Sequence, residues 1–94
     1  MKTEEIFDDI KHELSKAVNK FPAWPTDPLH ALAVLGEEYG ELDQAVLQAI
    51  YEPEKSSIEE VKIEAIQTAT MCIRFLISLD EYEFSRGVQH EQKQ

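Results

Sequence analysis

A chain of 94 residues with 19 acidic and 9 basic side chains, formal charge −10, supports one domain and leaves no room for a second core. No Lys/Arg cluster interrupts the acidity, which argues against polymeric nucleic acid as a partner, because a phosphate backbone requires a basic footprint. No charged-then-apolar leader opens the chain and no apolar run approaches the ~20 residues that span a bilayer, so a cytoplasmic protein without a membrane partner is expected.

A domain this small buries only about 60–65 % of its unfolded surface. A partner subunit is the expected source of the missing burial. The single cysteine, Cys72, has no partner for an internal disulfide and lies among Met71, Ile73 and Phe75. It reads as a small buried apolar residue.

Thr3, Glu4 and Glu5 mark a helix start, and Ile6, Phe7, Ile10, Leu14, Ala17 and Val18 recur at helical spacing. The first helix is predicted to end near Asn19 or Lys20. Residues 21–28, Phe-Pro-Ala-Trp-Pro-Thr-Asp-Pro, hold three prolines, too many for regular structure. An ordered loop carrying two aromatics follows from this composition.

Asp27 before Pro28 has the form of an N-cap with proline at the first helical position. The second helix is expected to continue through Tyr51. Its apolar arc carries Leu32, Leu35, Gly36, Tyr39, Leu42, Val46, Ala49 and Ile50, and its polar arc His30, Glu37, Glu41, Gln44 and Gln48, with Glu38 at the margin. Gly36 and Gly40 each cost about 1 kcal/mol of helix propensity against Ala. Close approach of another helix and simple tolerance explain them equally well.

Asp43 is a charge on that otherwise apolar arc, costly if unpaired; a partner subunit, Lys62 and Arg74 are the candidates to face it. His30 is read as a first-turn residue in solvent.

Glu52-Pro53-Glu54-Lys55-Ser56 breaks the helix, and Ser57-Ile58-Glu59-Glu60 has the capping-box pattern. The third helix is predicted over Ile58–Leu79. Its half from Ala69 onward is apolar on nearly every side, the mark of a central helix buried on several faces and extending toward a subunit contact. A short helix or docked extension is expected over 81–88. The domain is then 1–88, with 89–94 a frayed tail.

Residues three or four apart share a helix face. Glu37, Glu38 and Glu41 therefore form one acidic stripe, and Glu64 with Gln67 a second. On the third helix Glu60, Glu64, Gln67, Met71, Arg74 and Ser78 fall on one line, within about 80° of arc, on an otherwise apolar surface. Like carboxylates about 4 Å apart repel by about 4 kcal/mol at an effective dielectric near 20. Turned toward one another, the two stripes would need protons or a cation, and all-oxygen ligands suit Mg2+ or Mn2+ rather than zinc.

The segment Leu-Gly-Glu-Glu-Tyr-Gly-Glu-Leu at 35–42, followed after 22 intervening residues from Glu41 by Glu64-Ala65-Ile66-Gln67, resembles the E-E-x-x-E and E-x-x-D signature of the MazG-like all-α nucleoside triphosphate pyrophosphohydrolases. The resemblance covers residues 29–79. It departs from the usual pattern at Gln67, where the family usually carries Asp, although the resemblance extends to a MazG-like subset with Glu-x-x-Gln; an amide oxygen still coordinates Mg2+ but brings no charge and no basicity.

The resemblance implies an all-α bundle with antiparallel core helices, completed as a homodimer or homotetramer. It implies a Mg2+-dependent enzyme, with Mn2+ as substitute, that cleaves a nucleoside triphosphate to monophosphate and pyrophosphate. Glu38, Glu41 and Glu64 become metal ligands, with Gln67 a weak fourth ligand or a partner of the ligands. Glu37 holds a second metal or orients the attacking water, so the catalytic group is Glu37, Glu38 and Glu41.

Trp24 and Phe21 are candidates to stack on a base or, alternatively, to form a lid over the bundle end. Lys20, Lys55 and Arg74 are candidates for the phosphate tail or, alternatively, surface charges, with Arg74 also a partner for a carboxylate of the second helix. The competing reading is a non-catalytic helical module that binds a nucleotide, a cation or a protein helix. A plain oligomeric scaffold is the third.

Overall fold

The computed structural model describes residues 1–83, which form three α-helices, α1 (Thr3–Lys20), α2 (Pro28–Tyr51) and α3 (Ile58–Ile77), and a 3-10 turn at Leu79–Glu81. No strand occurs among the described residues. The capping signals act locally. The Glu5 carboxylate accepts from Lys2 N–H at 3.1 Å, Asp27 Oδ1 from Leu29 N–H at 2.8 Å and Ser57 Oγ from Glu60 N–H at 3.2 Å. Each satisfies a donor that the first turn would leave open. α3 stops at Ile77, two residues before the expected end.

α3 packs against both other helices. Thr68 Oγ1 reaches Glu38 O at 3.2 Å while Arg74 reaches Phe21 O at 2.7 Å, so α2 runs antiparallel to α3. Lys62 meets Asp9 at 3.9 Å near the start of both α1 and α3, and the same Arg74 contact closes their far ends. α1 is therefore parallel to α3. The proline-rich loop carries the chain over the bundle end, where Tyr82 folds back and is buried.

The rotation of α2 differs from the expectation. Its inward face centres on Ala31 and Ala45, both buried, with Val34, Glu38, Leu42 and Ala49 half-buried. Leu32, Tyr39, Val46 and Ile50, expected in the core, lie outside. The apolar arc of α2 is too wide for one partner: the small alanines permit close approach to α3, and the leucine edge is left over. Gly36 and Gly40 lie on this outer side, where an added Cβ would meet nothing within 4 Å. Among the described residues no other helix approaches them.

Cys72 is exposed, contrary to the buried position expected. It lies on an outward stripe of α3 with Ile58, Ala65 and Leu76. Arg74, not an apolar residue, is one of the two buried α3 side chains, with Thr70. Asp43 is exposed, while Lys62 and Arg74 find other partners. His30 is exposed, as expected.

Tyr82 docks where an extension was expected, and the remainder of 81–88 with the tail 89–94 lies, from residue 84 onward, outside the described residues. No helix of the described residues is long and apolar enough to cross a membrane.

Ala31 is fully buried at the α2–α3 contact, so Ala31→Leu forces the two helices apart. We expect it to lower stability by about 1–3 kcal/mol in urea unfolding. An unchanged midpoint would contradict the close packing.

Candidate metal centre

The inward turn of α2 brings Glu38 against α3, and one carboxylate oxygen each of Glu38, Glu41 and Glu64 lies within 4.8 Å of the others. Glu38 and Glu64 are half-buried and Glu41 is exposed. Thr68 Oγ1 bridges the carbonyls of Glu64 (2.8 Å) and Glu38 (3.2 Å), pinning the two helices just behind the cluster.

Among the described residues three buried side-chain oxygens have no hydrogen-bond partner, and two of the three are Glu38 Oε1 and Glu64 Oε1. A buried carboxylate oxygen without a donor is costly unless a proton or cation meets it. Burial raises the Glu38 carboxyl above the ordinary carboxylate range, and the charges of Glu41, Glu37 and Glu13 push it further. Burial likewise raises Glu64, followed by the charges of Glu41, Glu38 and Glu60. A proton on Glu38 or Glu64 is thus one way to relieve the cluster, and a divalent cation is the other.

Beside the cluster lies a groove of about 660 Å³ between α1 and α2, floored by Gln67, Met71 and Arg74 of α3. Glu37 and Glu38 line it from α2, Glu13, Lys16, Ala17 and Lys20 from α1, and Phe21 and Trp24 from the loop. The structure therefore gathers Glu37, Glu38, Gln67, Trp24, Phe21, Lys20 and Arg74 around one space, with Glu41 and Glu64 adjoining through the carboxylate cluster. Lys55 is not among the lining residues; it pairs with Glu52 at 3.3 Å in the α2–α3 connection.

The loop residues are more constrained than a free stacking platform. Trp24 Nε1 donates to Tyr82 Oη at 2.7 Å, and the Arg74 guanidinium lies over the indole, 4.9 Å from its centroid. Arg74 Nη2 also donates to Phe21 O, so this cation is turned to the loop rather than to a carboxylate of α2. Phe21 remains exposed, with the Lys20 ammonium 5.5 Å from its ring centroid.

Two lining residues, Glu13 and Lys16, were not anticipated. They pair with each other at 3.7 Å, and Glu13 lies close enough to raise Glu38. A signal existed. Glu13 sits at helical spacing from Ile10 and Ala17 and beside Leu14, a charge inside the inward stripe of α1.

The sign of the pH effect follows from the raised carboxyls. The folded state binds more protons than the unfolded chain above about pH 4.3, the ordinary carboxylate value. Stability of the metal-free protein therefore falls as pH rises through the folded-state values. A close like-charge pair is worth about 4 kcal/mol unscreened, and partial exposure reduces this to about 1. We expect Glu64→Gln in chelator-treated protein at pH 7 to raise Tm by about 4–8 °C, with the gap to wild type closing as the pH is lowered toward 4. A variant that melts lower than wild type at pH 7 would show that the carboxylates do not repel.

Comparison of the chain with family models, with curated proteins and with solved structures finds no match. Among its described residues it is a small all-α, three-helix protein with a partly exposed glutamate cluster.

Proposed function

We propose that the chain is a divalent-cation-dependent nucleoside triphosphate pyrophosphohydrolase of the MazG-like kind, acting in the groove beside Glu38, Glu41 and Glu64. The observation that carries this reading is the pair of buried, partnerless oxygens, Glu38 Oε1 and Glu64 Oε1, contributed by different helices to one cluster. The donor set fits Mg2+ or Mn2+: all oxygen, anionic and open to solvent on the Glu41 side. Gln67, in the groove beside Glu38, offers a neutral amide oxygen as a further donor.

A divalent ion held by these carboxylates supplies, when bound, neutralisation of the polyphosphate charge and a lowered pKa for water. The chain's own residues do the rest. Glu37, exposed at the groove wall next to Glu38, would accept the proton of a water attacking the α-phosphorus. As the new P–O bond forms, the α–β anhydride bond breaks and pyrophosphate leaves with the electron pair.

Lys16 and Lys20 line the groove from α1 with flexible ammonium groups suited to a departing phosphate. Phe21, Trp24 and Met71 give the groove an apolar wall.

A second reading is favoured by one observation. Arg74, the only arginine among the described residues that line the groove, is buried and turned to loop carbonyls. A groove whose described residues offer no free guanidinium fits a nucleotide- or cation-binding module that does not turn its ligand over.

The same proposal includes self-association. Among the described residues only Ala31, Ala45 and Tyr82 are buried apolar residues, while Leu29 is 75 %, Ile50 63 % and Leu76 62 % exposed. The outward stripe of α2, from Leu29 through Gly36, Gly40 and Leu47 to Ile50, carries a single charge, Asp43, in a chain of formal charge −10. A second copy is the occupant that suits it, because two such stripes bury apolar surface while the acidic faces stay apart.

Pyrophosphate release from a panel of ordinary and modified triphosphates with Mg2+ or Mn2+ tests the activity. Glu38→Gln and Glu41→Gln should each lower turnover by about 100-fold or more. No release from any triphosphate leaves the binding module as the better reading, and release undiminished in both variants overturns the site. Sedimentation of Ile50→Glu should show a smaller species than wild type; a monomeric wild type contradicts the self-association.

A further inference from the structure

Tyr82 stands outside the groove yet is 6 % exposed and lies 58 residues from Trp24, the side chain it holds. Its hydroxyl accepts the indole N–H at 2.7 Å and donates to Phe75 O at 3.2 Å, and its ring packs on Phe75 with centroids 5.0 Å apart. Arg74 covers the indole from α3 while its Nη2 holds Phe21 O at 2.7 Å. Glu83 N–H, next to Tyr82, donates to Thr26 O at 3.2 Å. Both ends of the proline-rich loop are thus tied to the end of α3 and the turn after it.

This loop supplies one wall of the groove through Phe21 and Trp24. Arg74 follows Glu64 by ten residues (74 − 64) on α3, about 15 Å along the axis. The carboxylate cluster and the indole therefore mark opposite ends of the site. With phosphates drawn to the cluster, the nucleoside end meets Trp24.

We propose that Tyr82 is a positioning residue for this end of the site. By accepting the indole proton it fixes Trp24 as a rigid wall, and so sets affinity for the base and sugar of a nucleotide that it never touches. A wall held by a part-buried hydrogen bond and a stacked cation loses little side-chain freedom when a ligand arrives, which preserves binding energy. The inference rests on the nucleotide reading above, and its consequences separate from it.

Tyr82→Phe keeps the ring and removes the acceptor. Trp24 is the only tryptophan of the chain, so its emission reports the change directly. Acrylamide should quench Trp24 more efficiently in the variant. Calorimetric affinity for magnesium nucleoside triphosphates with an α,β-methylene bridge should weaken about tenfold, the scale of one buried hydrogen bond, while Mn2+ alone binds both proteins equally.

In a Trp24→Phe background the same change at Tyr82 should have no further effect on nucleotide affinity. Equal quenching and equal nucleotide affinity in wild type and Tyr82→Phe overturn the inference and leave the proposed function standing. An equal loss of affinity in the Trp24→Phe background also overturns it, by showing a merely structural effect. A wild type that binds Mn2+ but none of the analogues overturns both. Should Tyr82→Phe fail to fold, Trp24→Phe removes the same hydrogen bond from the donor side, and unchanged nucleotide affinity there contradicts the proposal.

Discussion

The contact of Glu38 on α2 with Glu64 on α3 is the constraint from which the remaining arrangement follows. Two carboxylates from different helices meet with one buried oxygen each and no donor for either. Helix packing holds them there: Ala31 and Ala45 let α2 approach closely, and the Thr68 hydroxyl joins the two backbones beside the acids. Such an arrangement opposes folding unless something positive completes it. The rest of the molecule is consistent with that need, since a groove of about 660 Å³ opens beside the acids and provides access for a ligand.

The same rotation that turns Glu38 inward turns leucine outward. Had α2 presented its leucine edge to α3, Leu32, Tyr39 and Ile50 would be covered and Glu38 would stand nearer solvent. The structure exchanges apolar burial within one chain for a cluster of acids between helices, and leaves exposed stripes on α2 and α3. In the proposed assembly, apolar surface covered by a second copy, at about 25 cal/mol per Å², would restore what the single chain gives up. The site and the proposed assembly thus express one choice of helix orientation.

Much of this was legible in the chain itself because it is local. Asp27-Pro28 and Ser57 announce helix starts through donors that they satisfy within three residues, and the prolines of 21–28 interrupt helix wherever they occur. The spacing of Glu37, Glu38 and Glu41 and of Glu64 and Gln67 places each set on one face without reference to the fold. The orientation of α2 was not legible, because an apolar arc spread over more than half a helix permits two rotations of similar burial. The exposure of Cys72 follows the same logic, since burial in a single chain depends on which face of α3 the neighbours choose. Glu13 was legible as a charge inside the inward stripe of α1, but not its closeness to Glu38, which depends on how α1 and α2 face across the groove. The roles of Arg74 and Tyr82 depend on contacts 53 and 58 residues away along the chain, beyond any local pattern.

The central claim is that Glu38, Glu41 and Glu64 together hold a divalent ion. Titration of chelator-treated protein with Mn2+, followed by calorimetry and by Tm, tests it most directly. At an ion concentration about 100 times Kd, linkage predicts about 2.7 kcal/mol of stabilisation, a rise of about 10 °C or more in Tm, and neither heat nor shift in Glu38→Gln. A wild type that binds no Mn2+ at millimolar concentration, or a Glu38→Gln variant that binds it equally well, would contradict the account.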